Sequence, residues 1–249
     1  GFKKAVNMEL CVYSVNEMIA KYIDNILKGS IRCEQDSEEE KLGHCIYLFN
    51  QVRDKDMFAE NYREQLANRL LGTRHVNEDL ERFVISEIKS RCGNSFTFKI
   101  EGMLNDFGTR YQDFEAYSEL LSTMDESMRG HGEDGGSTDY EFQVQVLSKS
   151  FWPTMNTLSD LPVPLSMQAK IDSFQNFYVA QNDSRFLEWV LSRGELRASC
   201  LFGGKTFQVT MIPAQFIVLN LFNERPVWVF GDIAQALNFD ENTIDLFKK

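Results

Sequence analysis

Residues 54–108 read DKDMFAENYREQLANRLLGTRHVNEDLERFVISEIKSRCGNSFTFKIEGMLNDFG, and this stretch carries several apolar helical faces in succession. In its first part, apolar side chains recur at three- and four-residue steps and so share one side of a helix: Phe58, Tyr62, Leu66, Leu70 and Leu71. The other side is polar, with Glu60, Arg63, Glu64 and Asn68. The stretch holds almost no candidate catalytic chemistry, which is typical of a scaffold.

A second helix is predicted directly after the first. Its apolar face contains Leu80, Phe83, Val84 and Ile88. Asn77 is a suitable N-cap, because its side chain can accept from a free amide of the first turn, and Gly93 is a suitable C-cap.

Many positions here stand in the register of a known family: Asp54, Lys55, Asp56, Phe58, Tyr62, Leu66, Ala67, Arg69, Leu70, Ile88, Lys89, Cys92, Gly93, Lys99, Met103 and Asp106. They resemble the cullin homology region, the carboxy-terminal half of the scaffold of modular ubiquitin ligases. Later positions are similar to the family's strand followed by Trp-Pro, its next helix and a hairpin: Val144, Gln145, Val146, Leu147, Ser148, Trp152, Pro153, Phe174, Phe177, Tyr178, Arg185, Leu187, Trp189, Gly194, Glu195 and Leu196. The resemblance covers nearly the whole chain.

Composition limits the possible partners. The chain has 249 residues, 43% of them hydrophobic, which is enough to bury a core. Its formal net charge of -11, spread evenly, argues against binding a phosphate backbone, which needs clustered Lys and Arg. No apolar run approaches the roughly 18 residues of a membrane span, and residues 1–10 lack a signal-peptide core. We expect an intracellular protein, cytoplasmic and nuclear, with no membrane and no nucleic-acid partner.

The sequence predicts no metal, no cofactor and no catalytic residue. The cysteines lie at wide, irregular spacing, which is typical of free thiols in a reducing compartment: Cys11, Cys33, Cys45, Cys92 and Cys200. A zinc site is the alternative, but structural zinc prefers closely paired ligands, unlike the spacing of His44, Cys45, Cys33, His75 and Cys92. Neither these histidines nor His131 belong to a catalytic signature, and no phosphate-binding glycine loop occurs.

The expected fold class is mainly α with a small α+β part. Residues 1–124 are predicted to form an elongated helical bundle, in which Asp36 or Ser37 opens a helix whose first turn contains Glu38, Glu39 and Glu40. Residues 125–139 are rich in Gly and Ser and predict a linker. Residues 140–212 predict a small α/β domain, and residues 213–249 the start of a winged-helix module.

Within residues 140–212 the apolar period switches to two. Phe142, Val144 and Val146 alternate with more polar neighbours and predict a strand, which Trp152-Pro153 would end. A helix over about 166–181 follows, and then strands at 186–191, 195–201 and 206–211. Arg193-Gly194 and Gly203-Gly204 are predicted hairpin turns, the second of type I′.

The last section predicts helix, short extended piece at 227–230, helix, and a third helix after Asp240 with Ile244 and Phe247. DNA recognition by that third helix is the alternative to protein binding. Its leading residues, Asp240 and Glu241, would repel phosphates and favour protein binding. The chain stops where wing strands would follow, so we expect a fragment.

The resemblance implies a non-catalytic scaffold of a cullin-RING ubiquitin ligase. The family's small sheet takes a strand from a RING-finger subunit, which recruits the ubiquitin-charged conjugating enzyme, so that enzyme would be an indirect partner. The implied RING-subunit site comprises Phe142, Val144, Val146, Phe151, Trp152, Leu187, Trp189, Leu191 and Leu196. Substrate adaptors would bind an amino-terminal region absent here, and no modifier-acceptor lysine is assigned in this chain. A cullin-like subunit of the cell-cycle ubiquitin ligase is the alternative within the class.

Overall fold

The structure, a computed structural model, describes residues 14–31, 37–72, 76–128 and 140–239. The described residues form these helices, in chain order: α1 (Val15–Leu27), α2 (Glu38–Gln51), α3 (Lys55–Gly72), α4 (Glu78–Cys92), α5 (Asn94–Thr109), α6 (Gln112–Met128), α7 (Leu165–Gln181), α8 (Pro213–Asn220) and α9 (Phe230–Ala236). A 3-10 turn spans Leu221–Asn223, and strands β1 (Leu196–Phe202) and β2 (Lys205–Met211) precede α8. The predicted fold class is confirmed.

Local signals set the beginnings and ends of several helices. The Ser37 side chain accepts from the Glu40 backbone amide at 3.2 Å and the Glu40 side chain accepts from the Ser37 amide, so α2 begins with a capping box. The Asn77 side chain accepts from Leu80 N at 3.2 Å, as predicted for the start of α4. Gly93 ends α4 with φ +84°, a backbone angle that glycine adopts most readily.

Contacts divide the chain into two compact units, the first Gly1–Arg110 with Val146–Thr154 and the second Tyr111–Gln145 with Met155–Lys249. In the first unit α1 packs on α2 and α3, and α4 packs on α2 and α5. Its fully buried core includes Phe58, Tyr62, Leu66, Val84 and Ile88 of the two predicted apolar faces, together with Ile23, Leu42, Phe49 and Ile100.

A buried ionic network joins three helices of the first unit. The Arg69 guanidinium in α3 is 2% exposed and donates to Glu81 in α4 at 2.5 and 3.0 Å and to Asp24 in α1 at 2.7 Å. Tyr62 donates its hydroxyl to Glu81 at 2.9 Å, and Lys28 pairs with Asp24 at 2.6 Å. Burial, and next the negative charge of Glu81, raise the pKa of Tyr62 well above its usual value. The buried guanidinium thus pairs with two buried carboxylates, and the exposed Lys28 adds a second cation at the edge of the network.

The second unit contains α6 packed on α7, the β1–β2 hairpin and the carboxy-terminal helices. The strands pair antiparallel from Leu196↔Met211 to Phe202↔Lys205, and Gly203-Gly204 forms the predicted two-residue turn, with φ of +55° and +78°. A separate apolar core comprises Leu158, Leu161, Leu191, Ala214, Ile217 and Leu237.

Two predicted strands are wrong within the described chain. Residues 142–147 and 186–191 form no strand, so Arg193-Gly194 does not connect two strands. Their side chains largely alternate in burial, but their backbones pair with no strand among the described residues. The predicted extended piece at 227–230 is extended at Val229, with φ -85° and ψ 142°, and α9 begins at Phe230. The described sheet has two strands, β1 and β2.

Several predictions concern residues outside the described ranges: the signal-peptide argument on 1–10, Cys11, Cys33, Asp36, His75, His131, most of the linker, and the helix after Asp240. Helix α6 continues to Met128, four residues beyond the predicted end of the helical bundle at 124. It packs in the second unit, whereas the sequence grouped it with the helical bundle of residues 1–124. The predicted domain boundaries stay a prediction.

Candidate functional site

The first element of the site is the segment at 141–145 in the second unit. Along it burial alternates: Phe142 is half-buried, Val144 is 8% exposed, and Gln143 and Gln145 are exposed. In the described part of the chain, the backbone amides and carbonyls of residues 141–145 make no hydrogen bond. Backbone groups that lack partners in an extended segment can pair with a strand from another chain.

A second segment, residues 186–190, precedes the core residue Leu191. Among the backbone hydrogen bonds described, the amides of Phe186, Leu187 and Trp189 donate none. Phe186 is 83% exposed, while Leu187 and Trp189 are half-buried. This segment therefore also presents main-chain groups together with partly covered apolar side chains.

Both segments rest on one group of rings, here called the aromatic cluster: Phe114, Tyr117, Phe142, Phe174, Phe177, Tyr178 and Trp189. Phe174 of α7 lies at its centre and is fully buried. Its ring centroid lies 6.2 Å from that of Trp189, edge to face, and 6.2 Å from that of Phe114, which contacts Phe142 at 6.1 Å. Edge-to-face pairs of this kind stabilise an aromatic core beyond the area that they bury.

Polar contacts fix the orientation of the segments on helix α7. Trp189 donates its indole N–H to Gln175 Oε1 at 3.1 Å, and Lys170 Nζ donates to the Tyr140 carbonyl at 2.8 Å. The Tyr140 hydroxyl donates to the Ser166 carbonyl at 2.9 Å, and burial raises the pKa of that hydroxyl. The two segments are thus held by side chains, and the amides of residues 141–145 and of Phe186, Leu187 and Trp189 make no hydrogen bond among the described residues.

The predicted site residues separate into two groups. Phe142, Val144, Leu187 and Trp189 belong to the two segments just described, in the second unit. Leu191 lies in the apolar core of that unit, and Leu196 opens β1 opposite Met211.

The other predicted residues, Val146, Phe151 and Trp152, lie in the first unit. Val146 donates its amide to the Arg110 carbonyl at 2.9 Å, and Trp152 is 5% exposed. The Phe151 ring packs edge to face on Phe98, with centroids 5.6 Å apart. These contacts attach residues 146–154 to α5.

Asp106 and Gly102 of α5 help to attach residues 146–154, although no role was predicted for either from the sequence. Asp106 accepts from the Ser148 amide at 2.7 Å, from the Ser148 hydroxyl at 3.1 Å and from the Trp152 indole at 2.9 Å. Gly102 lies against the Phe151 ring, so close that a Cβ there would be 2.5 Å from it. Asp106 is one of the positions that resemble the family, but the resemblance does not indicate what its side chain contacts. No pattern in the sequence identifies Gly102 as a packing position.

Reactive groups do not gather in the described residues. No group of His, Cys, Asp and Glu that could hold a metal ion occurs in the ranges that the structure describes. Cys45 is buried, and burial raises the pKa of its thiol to about 11, so it is a poor nucleophile near neutral pH. No helix among the described residues is both long and apolar enough to cross a bilayer.

Comparison with known proteins shows which family the chain resembles. A model described as the Cullin alpha solenoid domain matches residues 1–111, and one described as the Cullin alpha+beta domain matches residues 146–246. Cullin-1 of Oryza sativa subsp. japonica is 31% identical over 98% of this chain and 32% of its own length. Cullin-2 of Arabidopsis thaliana is 32% identical over 96% of this chain and 31% of its own length. Cullin-4A of Homo sapiens is 29% identical over 92% of this chain and 29% of its own length.

The chain thus spans about a third of the length of these curated relatives. The two family models match most of the chain between them, and the relatives align with nearly all of it. The chain belongs to the cullin family.

Proposed function

We propose that this chain is the part of a cullin scaffold that holds a RING-finger subunit in a multisubunit ubiquitin ligase. The chain itself would be non-catalytic. The RING-finger subunit would recruit the ubiquitin-charged conjugating enzyme, and substrate adaptors would bind a region outside this sequence. Family membership supports the scaffold role, and the unpaired main chain of residues 141–145 supports the mode of binding.

Strand addition suits residues 141–145 for two reasons, one concerning their side chains and the other their backbone amides. One set of side chains, Phe142 and Val144, already packs on the chain's own rings and core. The amides of residues 141–145 have no acceptor among the described residues, so pairing with a partner strand breaks no hydrogen bond among those residues. Each added hydrogen bond contributes on the order of 1 kcal/mol, without dependence on the partner's sequence.

Apolar contacts from the second segment would give the partner its anchor. Trp189 is only half-buried on the aromatic cluster, and Phe186 is largely exposed. Large aromatic side chains dominate the energy of protein interfaces. We therefore assign the main-chain pairing to residues 141–145 and the aromatic contact to residues 186–189.

The alternatives differ in support. A cullin-like subunit of the cell-cycle ubiquitin ligase would use the same kind of contact, and the residues 54–71 resemble ordinary cullins more closely. Winged-helix binding of nucleic acid has no support beyond the order of the last helices. The net charge of -11 opposes it.

Co-purification tests the proposal. The full chain is expressed with a RING-finger subunit of cullin ligases, as wild type, as Gln143→Pro and as Gln143→Ala. Gln143 is exposed, and its amide makes no hydrogen bond among the described residues, so proline should leave the fold intact. The partner strand would lose one hydrogen bond and would clash with the pyrrolidine ring. We expect Gln143→Pro to lower the yield of complex at least about tenfold and Gln143→Ala to preserve it.

Circular dichroism and the urea midpoint of the free chain verify that the proline variant is folded. A complex that forms equally well with Gln143→Pro and with Trp189→Asp would show that the RING-finger subunit binds elsewhere. Failure of the wild-type chain to form a complex would contradict the proposal itself.

A further inference from the structure

Helices α6 and α7 border an open groove of about 420 Å³ in the second unit. Its lining residues come from both helices: Asp113, Ala116, Glu119, Leu120, Thr123, Phe177 and Gln181. Leu120 is 44% exposed, and the half-buried Phe177 packs on Tyr117 with ring centroids 5.4 Å apart. Ala116, Leu120 and Phe177 therefore give the groove an apolar strip between its polar lining residues, and Phe177 attaches that strip to the aromatic cluster.

The rim of the groove is acidic and unpaired. Asp113 and Glu119 make no ion pair and their carboxylates accept no hydrogen bond. Helix α6 contains no Lys or Arg. The one basic residue of α7, Lys170, already donates to Tyr140. Carboxylates beside an apolar floor attract a positively charged, amphipathic ligand, since both parts of its surface are then matched.

The dimensions of the groove favour a helix over a small molecule. Along α6 it extends from Asp113 to Thr123, ten residues and so about 15 Å. A drug-sized ligand needs a site that encloses most of its surface, and this groove is open along one side. A helix lying in the groove needs cover on one side only, because its other side remains in water.

The spacing of the two carboxylates adds a constraint. Asp113 and Glu119 are six residues apart, which places them about 9 Å apart along the helix axis and about 120° apart around it. The other lining residues of α6, Ala116, Leu120 and Thr123, lie on the strip between those two directions. A helix lying over this strip with one basic side chain on each edge of its apolar face would pair with both carboxylates.

We propose that this groove binds a short amphipathic helix of a partner protein. The partner helix would bury an apolar ridge against Leu120 and Phe177 and carry a lysine or arginine on each edge of that ridge to pair with Asp113 and Glu119. This surface differs from the one proposed for the RING-finger subunit. The segment at 129–139 does not have this chemistry, because its sequence RGHGEDGGSTD lacks large apolar residues and is mainly acidic in charge.

Fluorescence anisotropy tests the proposal on the full chain. The probe is a labelled helical peptide with leucines along one face and two lysines six residues apart, one on each edge of that face, and the reference probe has glutamate in place of lysine. The variant Asp113→Asn/Glu119→Gln removes the two rim charges. The control Glu64→Gln/Glu115→Gln removes two exposed carboxylates that are in no ion pair and lie outside the groove lining.

We expect saturable binding of the lysine probe that weakens with added salt, and none of the glutamate probe. The rim variant should bind the lysine probe about tenfold more weakly, as should Leu120→Asn, while the control stays within about twofold of wild type. Co-purification with the RING-finger subunit should be unchanged in the rim variant, which separates this test from the one above.

Equal weakening by the rim variant and by the control would overturn the proposal, because the probe would then respond only to overall charge. Absence of binding to the wild-type chain would also overturn it. So would a dimer that Leu120→Asn converts to monomer, since a second copy of the chain would then be the occupant.

Discussion

At the scale of single residues, Gly102 shows how one absent side chain positions a segment. The Phe151 ring occupies the space beside Gly102, and its carbonyl accepts from Arg63 Nη2 at 3.2 Å. The backbone of residues 146–154 can approach α5 this closely only because Gly102 has no Cβ. This close packing explains why a glycine, which by itself lowers helix stability, occurs in the middle of α5.

Gly102→Ala should destabilise the chain. The added Cβ would lie 2.5 Å from the Cγ and Cδ1 of Phe151, so the ring must move away from α5. Overpacking of this kind costs about 1–3 kcal/mol in the free energy of unfolding, measured by urea denaturation. Gly108→Ala is the control, because it lies in the same helix with no atom within 4 Å of the new Cβ.

The control should be neutral or stabilise the chain by up to about 1 kcal/mol, since alanine is the better helix former. If Gly102→Ala were as stable as Gly108→Ala, the close packing of Phe151 on α5 would not be required for folding.

At the scale of elements, the turn between β1 and β2 follows directly from its two glycines. Gly203 and Gly204 both have positive φ, of +55° and +78°, and Phe202 pairs with Lys205 across the turn. A type I′ turn has this geometry, and its twist matches that of the strands. The hairpin therefore forms from local sequence alone.

Gly203→Val should weaken the hairpin, whereas Gly203→Asn should be tolerated. A β-branched residue at positive φ costs roughly 1–2 kcal/mol, while asparagine adopts this region more easily. No atom lies within 4 Å of a Cβ at Gly203, so any effect reports backbone strain and not a clash. Amide hydrogen exchange of β2 measures the change, and equal exchange in both variants would contradict a type I′ turn.

The elements that could be predicted are those specified by local chemistry. Ser37, Asn77 and Gly93 end or begin helices through contacts within a few residues, so their roles are readable from the sequence. The strand predicted at Phe142–Val146 is wrong for a different reason. A period of two reports which side chains are buried, and that alternation is present, but it does not report whether a backbone partner exists.

The candidate site was predictable only in part for the same reason. Phe142 and Trp189 were both predicted as site residues, yet their joining through Phe114 and Phe174 depends on how α6 and α7 pack. The approach of Phe151 to Gly102 joins positions far apart in sequence. Neither periodicity nor composition contains such contacts.

At the scale of the whole molecule, the two units have different cores. The first buries the ionic network of Arg69, Asp24 and Glu81 among its helices, whereas the core of the second around Leu191 and Ile217 is apolar. A buried network contributes little net stability when complete, but removing one member leaves uncompensated charge. The two units should therefore respond separately to loss of Arg69.

Arg69→Met should leave the carboxylate of Glu81 buried without its cation, at a cost of about 3–5 kcal/mol to the first unit. Lys28→Met is the control, because Lys28 is 34% exposed and its pairing with Asp24 should contribute at most about 1 kcal/mol. Hydrogen exchange followed by mass spectrometry should show faster exchange in α1, α3 and α4 of Arg69→Met, with α8 of the second unit unchanged. A uniform increase over both units would mean that the chain unfolds as one cooperative body, and an unchanged first unit would mean that the network does not stabilise it.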